Sequence, residues 1–391
     1  MSRFFDMISK PAREMGIADL PAAAPVAADH GSRLIKLDSN ESPFGPSPRV
    51  LEAMRSALSA ANLYPYDDCS PLRLKLAAHH GLPPEQVLVT AGSTALLGLL
   101  CQTVLGPGLN AVTSERSFIV YSLAVQAAGA HLIEAPMRAG EDGFDLEAIL
   151  AAIDSNTRIV FLANPNNPTG TMLDAAAVEH FLTRLPAHVL VVLDEAYYEF
   201  ALHFATLRGI TYSNSLDYVR QGAGVVVLRT FSKAYGLAGL RVGYGLGPAE
   251  LLGYCARMRN TFSVSSVAQA AAIAALDDRL HILRVVENNA LQSMVLLEGL
   301  SAMGYRAVPT AANFVFCDLG EDAASFADRL QKDGVSVRPL GAWGAPNCIR
   351  VTIGTAEQNQ TFLSAARRGA AHRAHTSPQN SSTVDSDDLI L

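Results

Sequence analysis

Lys233 and Arg241 stand eight residues apart in the segment TFSKAYGLAGLRVG, with a turn of small residues between them. A lysine amine can condense with an aldehyde to form a Schiff base, and a guanidinium can hold a phosphate through two parallel hydrogen bonds. Thr230 and Ser232 add two hydroxyl groups beside the lysine. A cofactor that carries both an aldehyde and a phosphate is pyridoxal 5'-phosphate (PLP), an electron sink. The segment therefore predicts a PLP site, although Lys233 taken alone could also be a surface lysine in a loop.

Two further segments carry groups that suit the ring of such a cofactor. Asp194 ends an apolar run in HVLVVLDEAYYEF, where a carboxylate would pair with the protonated pyridine nitrogen and keep the ring electron-poor. Its alternative role is to cap the following turn. Tyr197 and Asn167, the latter in NPNNPTG, could both donate to the phenolic oxygen of the ring. NPNNPTG is also typical of an ordinary loop, because Asn, Pro and Gly favour turns.

Gly92, Ser93 and Thr94 join a predicted strand to a predicted helix. The exposed N–H groups at a helix start bind phosphate, and the same residues can also serve as an N-cap. Phe118 and Tyr121 lie in SERSFIVYSL, at a spacing that is more typical of core residues. One of them could stack on the pyridine ring, and Phe118 is the preferred candidate.

Arg350 lies among strand residues in NCIRVTIGT. An arginine that points into an apolar strand is costly unless it is paired, so a substrate anion is a natural partner. An outward-facing arginine on a half-exposed strand is the alternative. Arg338, in VSVRPLGAWG, is a second candidate for the same anion.

Short apolar runs that alternate with helical patterns must position these residues. Strands are predicted at 87–90, 110–113, 158–163, 189–193, 225–228 and 242–246, and helices at 93–105 and 121–128. The runs are nearly continuous, which favours a parallel sheet covered by helices on both faces. Because ligands bind at the carboxyl ends of such strands, one site can collect the candidates. A helix at 291–303 and strands at 312–317, 335–338 and 348–353 indicate a smaller α+β domain.

The composition disfavours several classes of function. The 391-residue chain is 49% hydrophobic and 17% charged, which suits a globular enzyme with a large core. Its net charge of −7 argues against nucleic-acid binding, which needs a basic face, and no apolar run reaches the ~20 residues that span a bilayer. Five widely spaced cysteines without a CxxC pair disfavour a disulfide framework or a metal site and favour the cytoplasm. The N-terminus does not resemble a signal peptide.

Together, these segments resemble the fold-type I PLP enzymes and, within them, the histidinol-phosphate aminotransferase-like group. The resemblance runs in order from about residue 34 to 367 through LDSNESPFGPSP, LYPYDD, GST, NPNNPTG, DEAYYEF, TFSKAYGLAGLRVGY, RNTFSVSSVAQAAAIAAL and IRVTIGT. Thr94 and Ala95 stand where the family often has an acidic pair, and Leu63 stands where it often has arginine.

The resemblance implies an α/β fold with a mostly parallel seven-stranded sheet and a smaller domain built from both ends of the chain. The expected division is an N-terminal arm at 1–33, a small domain at 34–60 and 285–372, a large PLP-binding domain at 61–284, and a disordered tail at 373–391. It also implies a homodimer in which Tyr64 reaches the phosphate bound in the neighbouring subunit, and substrate binding by Arg350 with Asn40 and Glu41 close by.

The expected reaction is a transamination. An amino acid or an amino phosphate ester, with histidinol phosphate or an aromatic amino acid as the leading candidates, would pass its amino group to a 2-oxo acid such as 2-oxoglutarate. One alternative is a lyase, decarboxylase or cyclase on the same scaffold. A second is the effector-sensing domain of a transcription regulator, which the acidic charge and the short segment before the first motif disfavour.

Overall fold

Strands and helices alternate through most of the chain. The computed structural model describes residues 7–14 and 34–376. The strands are β1 Ile35–Lys36, β2 Val87–Thr90, β3 Asn110–Ser114, β4 His131–Ala135, β5 Thr157–Ala163, β6 Leu190–Asp194, β7 Val225–Thr230, β8 Gly243–Leu246, β9 Arg306–Val308, β10 Phe314–Asp318, β11 Val335–Ser336, β12 Arg338–Leu340 and β13 Ala345–Thr352. The helices are α1 Lys10–Glu14, α2 Pro48–Leu58, α3 Ser70–His80, α4 Ser93–Val104, α5 Val120–Ala127, α6 Leu146–Ala151, α7 Ala175–Leu182, α8 Tyr198–Arg208, α9 Ser215–Arg220, α10 Ala249–Met258, α11 Ser266–Leu276, α12 Arg279–Ser301, α13 Ala323–Lys332 and α14 Ala356–Thr376.

A seven-stranded sheet lies at the centre of the larger part of the fold. Its strand order is β2-β8-β7-β6-β5-β3-β4. β8 runs antiparallel to both of its neighbours, and the other pairs are parallel. Every residue of β2, β3 and β7 is buried, as expected for strands covered on both faces. The predicted α/β fold with a mostly parallel sheet is confirmed.

Two details of the strand prediction differ from the structure. β4 is one of the two edge strands of the sheet. It was not predicted because its first four residues are exposed or half-buried, so it lacks the continuous apolar run of the other strands. The single strand predicted at 335–338 divides into β11 and β12, because β11 pairs with β1 whereas β12 pairs with β13.

The smaller part of the fold contains an antiparallel sheet of order β12-β13-β10-β9. Its apolar core includes Leu37 from the N-terminal side and side chains of α12, α13 and α14. Val50 of α2 instead belongs to the core around the large sheet, so the domain boundaries given above stay a prediction. Residues 1–6 and 15–33 of the predicted arm and residues 377–391 of the predicted tail lie outside the described residues, and α14 continues to Thr376.

The topology places the candidate residues at one edge of the large sheet. β5, β6 and β7 are neighbouring parallel strands, so their carboxyl ends meet there. The loop at 39–41 and the β12–β13 hairpin face this edge from the smaller part of the fold. In the part of the chain that the structure describes, no helix has both the length and the apolar composition needed to cross a bilayer.

Candidate active site

A cavity of ≈ 450 Å³ lies between the carboxyl edge of the large sheet and the β12–β13 hairpin. Its wall contains all the predicted site residues except Gly92 and Tyr64. These residues are Asn40, Ser93, Thr94, Phe118, Asn167, Asp194, Tyr197, Thr230, Ser232, Lys233, Arg241, Arg338 and Arg350. Four of them carry basic side chains, and the acidic side chains in the wall are Asp194 and Glu41. The cavity is therefore suited to anionic ligands.

One end of the cavity forms a cradle for a phosphate. Arg241 Nη1 lies 3.4 Å from Ser232 Oγ, and the guanidinium reaches the start of α4. A Cβ atom on Gly92 would lie 2.7 Å from Arg241 Nη2, and one on Gly243 would lie 2.5 Å from the backbone nitrogen of Ser93. The two glycines therefore leave room for the arginine and the helix start to converge, and this arrangement fits the phosphate of PLP.

Lys233 stands between this cradle and Arg350. Its Nζ donates to the backbone carbonyl of Ser39 over 3.3 Å. Burial, together with the positive charge of Arg350, lowers the pKa of Lys233 to about 7. A lysine with this pKa is neutral in a substantial fraction of molecules near pH 7, so it can act as a nucleophile and as a general base.

Asp194 is buried at the end of β6. Its Oδ2 accepts a 2.9 Å hydrogen bond from the Tyr121 hydroxyl, and its Oδ1 accepts one from the backbone N–H of Ala196. Burial raises the pKa of Asp194 to about 6, although both hydrogen bonds oppose this rise. A cationic ring nitrogen would compensate the buried carboxylate, so this site fits the pyridine ring of PLP.

Tyr197 and Asn167 are both arranged to donate into the cavity. Asn40 Nδ2 donates to the Tyr197 hydroxyl over 2.9 Å, which leaves the phenolic proton to another acceptor. Arg350 Nη1 donates to Asn167 Oδ1 over 2.6 Å, which leaves the amide Nδ2 to donate. Asn40 therefore holds Tyr197 in addition to lining the cavity, a contact that the sequence did not predict.

Arg350 is a buried guanidinium without a carboxylate partner among the described residues. Its Nη2 donates to the backbone carbonyl of Asp38 over 2.8 Å, and its Nε has no partner in the described part of the chain. Burial lowers the pKa of Arg350 to about 10. Arg338 lies directly opposite in the β12–β13 register. Both arginines line the cavity, so together they could hold an anion in addition to the phosphate of the cofactor.

The structure distinguishes the two aromatic candidates. Phe118 lines the cavity, whereas Tyr121 is fully buried behind it, stacked on Phe161 with 4.6 Å between the ring centroids. The placement favours Phe118 as the ring that stacks on the cofactor. The hydrogen bond from Tyr121 to Asp194 spans 73 positions, and no local pattern in the sequence indicates it.

Tyr64 lies away from the cavity and is 81% exposed. Its ring stacks on Phe262 with 4.6 Å between the centroids. Neighbouring side chains Leu63 and Tyr66 are also exposed. Within one chain, the structure therefore does not bring Tyr64 to the site.

A buried ion pair supports the turn that follows β6. Arg229 donates from Nε and Nη2 to Glu195 Oε2 over 3.0 and 2.8 Å, and Ser213 donates to the other carboxylate oxygen. The Arg229 guanidinium also lies 3.5 Å from the ring centroid of Tyr198. Sequence reasoning missed this pair, although Glu195 directly follows Asp194.

The fold and the site together define an enzyme of the fold-type I, PLP-dependent class. A mostly parallel sheet carries a lysine, a buried carboxylate and a phosphate cradle at its carboxyl edge, and each of these groups fits one part of PLP. The family described as aminotransferase class I and II matches residues 32–365. The chain belongs to this family, and the predictions of an aminotransferase and of PLP as its cofactor are confirmed.

Relatives and solved structures are similar over nearly the whole chain. A protein named histidinol-phosphate aminotransferase 2 from Pseudomonas aeruginosa is 44% identical over 365 residues, which cover 93% of this chain and 94% of the relative. The structure of histidinol-phosphate aminotransferase from Sinorhizobium meliloti in complex with PLP has a TM-score of 0.85 at 31% identity, covering 94% of this chain and 99% of that one. Aspartate aminotransferase from Thermus thermophilus with maleate has a TM-score of 0.79 at 26% identity, covering 93% and 99%.

Proposed function

We propose that the chain transfers the amino group of histidinol phosphate to a 2-oxo acid such as 2-oxoglutarate, as a cytoplasmic homodimer. The observation that carries this proposal is the buried Arg350, which has no carboxylate partner among the described residues and lies opposite Arg338. A guanidinium fork binds a phosphate or a carboxylate equally well. One anion site can therefore serve a phosphate ester in one half of the reaction and a dicarboxylic acid in the other. The names of the relatives support the same substrate.

The site residues divide into those that hold the cofactor and those that act on the substrate. Ser93, Thr94, Thr230, Ser232 and Arg241 would hold the phosphate, with Gly92 providing the space for Arg241. Asp194 would pair with the ring nitrogen, and Asn167 and Tyr197 would donate to the ring oxygen. When bound, PLP condenses with amino groups and takes up the electrons of the substrate Cα–H bond.

Lys233 would have two roles in the reaction. Its Nζ anchors the cofactor, and once that nitrogen is free it accepts a proton from the substrate and returns it. The lowered pKa suits both steps, because the neutral amine is the form that attacks and the form that accepts a proton. Arg350 and Arg338 would meanwhile hold the substrate anion, so that the reacting carbon stays within reach of Nζ.

The substrate is tested with the purified holoenzyme and a panel of amino donors. Histidinol phosphate, phenylalanine, tyrosine, glutamate and arginine are each added without an acceptor, and the absorbance of the lysine-bound cofactor is followed. We expect the highest kcat/KM for histidinol phosphate. A higher value for another donor would contradict the proposed substrate. Borohydride reduction and peptide mapping should place the cofactor on Lys233.

The homodimer is proposed from the exposed apolar side chains around Tyr64. Leu63, Tyr64, Tyr66 and Phe262 are 64%, 81%, 67% and 42% exposed, and such patches mark interaction surfaces. The test mixes the variants Lys233→Ala and Tyr64→Ala, which should each be weakly active. If Tyr64 completes the partner's site, one site of each mixed dimer is intact and random mixing restores about a quarter of the wild-type activity. No recovery in mixed dimers would contradict the shared site.

A further inference from the structure

Asp38 is a buried carboxylate to which the proposed reaction assigns no role. The residue is 3% exposed, and two hydroxyl groups donate to its side chain. Ser39 Oγ donates to Oδ1 over 2.7 Å, and Ser336 Oγ donates to Oδ2. Burial alone would raise the pKa of Asp38, but these two bonds and the nearby charges of Arg338 and Lys36 lower it. The carboxylate is therefore ionised at neutral pH.

The backbone carbonyl of Asp38 is shared by the two arginines that line the cavity. It accepts a hydrogen bond from Arg350 Nη2 over 2.8 Å and one from Arg338 Nε over 3.3 Å. The two guanidinium groups repel each other, and the negative charge of Asp38 offsets part of this repulsion. The pKa of Arg350 reflects this balance, because burial and the charge of Arg338 lower it whereas the charge of Asp38 raises it.

The segment of residues 38–40 is fixed on both sides of this carbonyl. Before the carbonyl, Ser336 of β11 holds the carboxylate. After it, the N–H of Asn40 donates to Thr352 Oγ1 over 2.9 Å, and the carbonyl of Asn40 accepts from Asn313 Nδ2 over 3.0 Å. Asn40 has φ +57°, a left-handed conformation that asparagine adopts more readily than most residues. The hydrogen bonds on the two sides therefore determine where the shared carbonyl points.

The next two residues connect the segment to groups that would act on the cofactor and the substrate. The carbonyl of Ser39 accepts from Lys233 Nζ over 3.3 Å, and Asn40 Nδ2 donates to the Tyr197 hydroxyl over 2.9 Å. Turnover would report on all of these contacts at once. The binding of an unreactive anion is the more specific measure of the contact between Asp38 and the arginines.

We propose that Asp38 is a positioning residue that arranges the two arginines for the substrate anion. The bonds from Ser39 and Ser336 fix its carboxylate, and the carboxylate in turn fixes the carbonyl that both guanidinium groups share. An ordered pair of guanidinium groups binds an anion with a smaller loss of conformational entropy than a mobile pair. This inference rests on the proposed function, since it concerns the arginines that would hold the substrate in that reaction.

Charge and position have opposite effects in the variant Asp38→Ala. Removing a negative charge beside two arginines would by itself strengthen the binding of an anion, whereas loss of the fixed carbonyl would weaken it. The probe is succinate, a dicarboxylate with neither an amine nor a carbonyl, which cannot react with the holoenzyme. We expect calorimetry to show about tenfold weaker binding of succinate to the variant. Unchanged or tighter binding, or a wild-type holoenzyme that does not bind succinate, would overturn the proposal.

Ser336→Ala tests the same role while the negative charge stays in place. It removes one of the two hydroxyl bonds to the carboxylate, so succinate should bind about two- to fivefold more weakly. The control is Asp322→Ala, which removes an exposed carboxylate that caps α13 and should leave the Kd unchanged. If Asp38→Ala does not fold, Ser336→Ala decides the question, and an unchanged Kd in that variant contradicts the proposal.

A double-mutant cycle shows whether Asp38 acts through Arg350. Residues that act through each other have non-additive effects, whereas independent residues have additive ones. In the background of Arg350→Lys, which lacks the ordered fork, Asp38→Ala should weaken succinate binding by less than about threefold. The same loss in both backgrounds would overturn the proposal, because general destabilisation of the segment would not depend on the residue at position 350.

The proposed substrate and the role of Asp38 fail in different experiments. If the wild-type enzyme does not transaminate histidinol phosphate, the proposed substrate is wrong. The succinate series still decides the role of Asp38, because it requires no turnover.

Discussion

Arg350 Nη1 donates to Asn167 Oδ1 over 2.6 Å, across 183 positions of the chain. This bond connects β13, which carries Arg350, to the loop after β5, which carries Asn167. It leaves the Nδ2 atom of Asn167 to donate to the ring oxygen, as proposed above. The second bond of Arg350, to the carbonyl of Asp38, fixes the other arm of the fork. The guanidinium is thus ordered before a substrate binds, which lowers the entropic cost of binding.

Replacing Arg350 by lysine tests whether this ordered fork binds the substrate anion. A lysine keeps the charge but cannot contact both Asn167 and Asp38 while presenting two parallel donors. We expect KM for glutamate to rise roughly ten- to a hundredfold, with a smaller change in kcat. Steady-state kinetics measures both constants. The control is Arg368→Lys on the surface, which is paired with Asp333, and an unchanged KM in the Arg350 variant would contradict the anion site.

The sequence predicted which residues after the strands line the site. It did not predict the hydrogen bonds between distant segments that hold those residues in place. β5, β6 and β7 read as continuous apolar runs because both faces of the sheet are covered, and the polar residues after them stand out for that reason. The contacts of Tyr121 with Asp194 and of Asn40 with Tyr197 depend on segments 73 and 157 positions apart.

The reactivity of Lys233 should follow its lowered pKa. In the enzyme freed of PLP, acylation of the amine requires its neutral form, so the rate should rise up to about pH 7 and level off above it. A lysine with the ordinary pKa of 10.5 would continue to react faster far above that pH. Mass spectrometry of the Lys233 peptide measures the rate, with the surface residue Lys332 as the internal reference.

The same experiment has a second arm in Arg350→Met. Removing the nearby positive charge stabilises the protonated lysine, so the midpoint for Lys233 should move to higher pH. A midpoint near pH 10 in the wild-type protein, or a downward shift in the variant, would contradict this account of the site.

Tyr121→Phe tests the support of the ring-pairing carboxylate. The variant keeps the stacked contact with Phe161 and removes the hydrogen bond to Asp194. This bond lowers the pKa of Asp194 against the effect of burial, so its loss favours the protonated acid, which pairs less strongly with a cationic ring nitrogen. We expect PLP to bind about tenfold more weakly, as measured by reconstitution of the cofactor-free enzyme. Unchanged affinity would show that the hydroxyl serves packing alone.

Arg229→Met should destabilise the fold because it leaves Glu195 buried and unpaired. The two side chains are 5% and 1% exposed, and removing one partner of such a pair costs about 3–5 kcal/mol. Urea unfolding of the cofactor-free protein measures the change in the free energy of unfolding. The double variant Arg229→Met with Glu195→Gln removes both charges and should recover part of the loss. A single variant as stable as the wild type would contradict a structural role for the ion pair.

Gly92→Ala and Gly98→Ala compare two glycines at the start and in the middle of the same helix. At position 92 the backbone has φ +84°, and an added Cβ would lie 2.7 Å from Arg241 Nη2, whereas at position 98 it would meet nothing within 4 Å. The clashing atom ends a flexible side chain, so the first variant should fold with its arginine displaced from the cradle. The loss of that charge-assisted contact should weaken PLP binding roughly ten- to a hundredfold.

Gly98→Ala should bind PLP as the wild type does and gain about 0.5–1 kcal/mol of stability, because alanine suits a helix interior better than glycine. Equal PLP affinities in the two variants would contradict the role assigned to Arg241 in holding the phosphate.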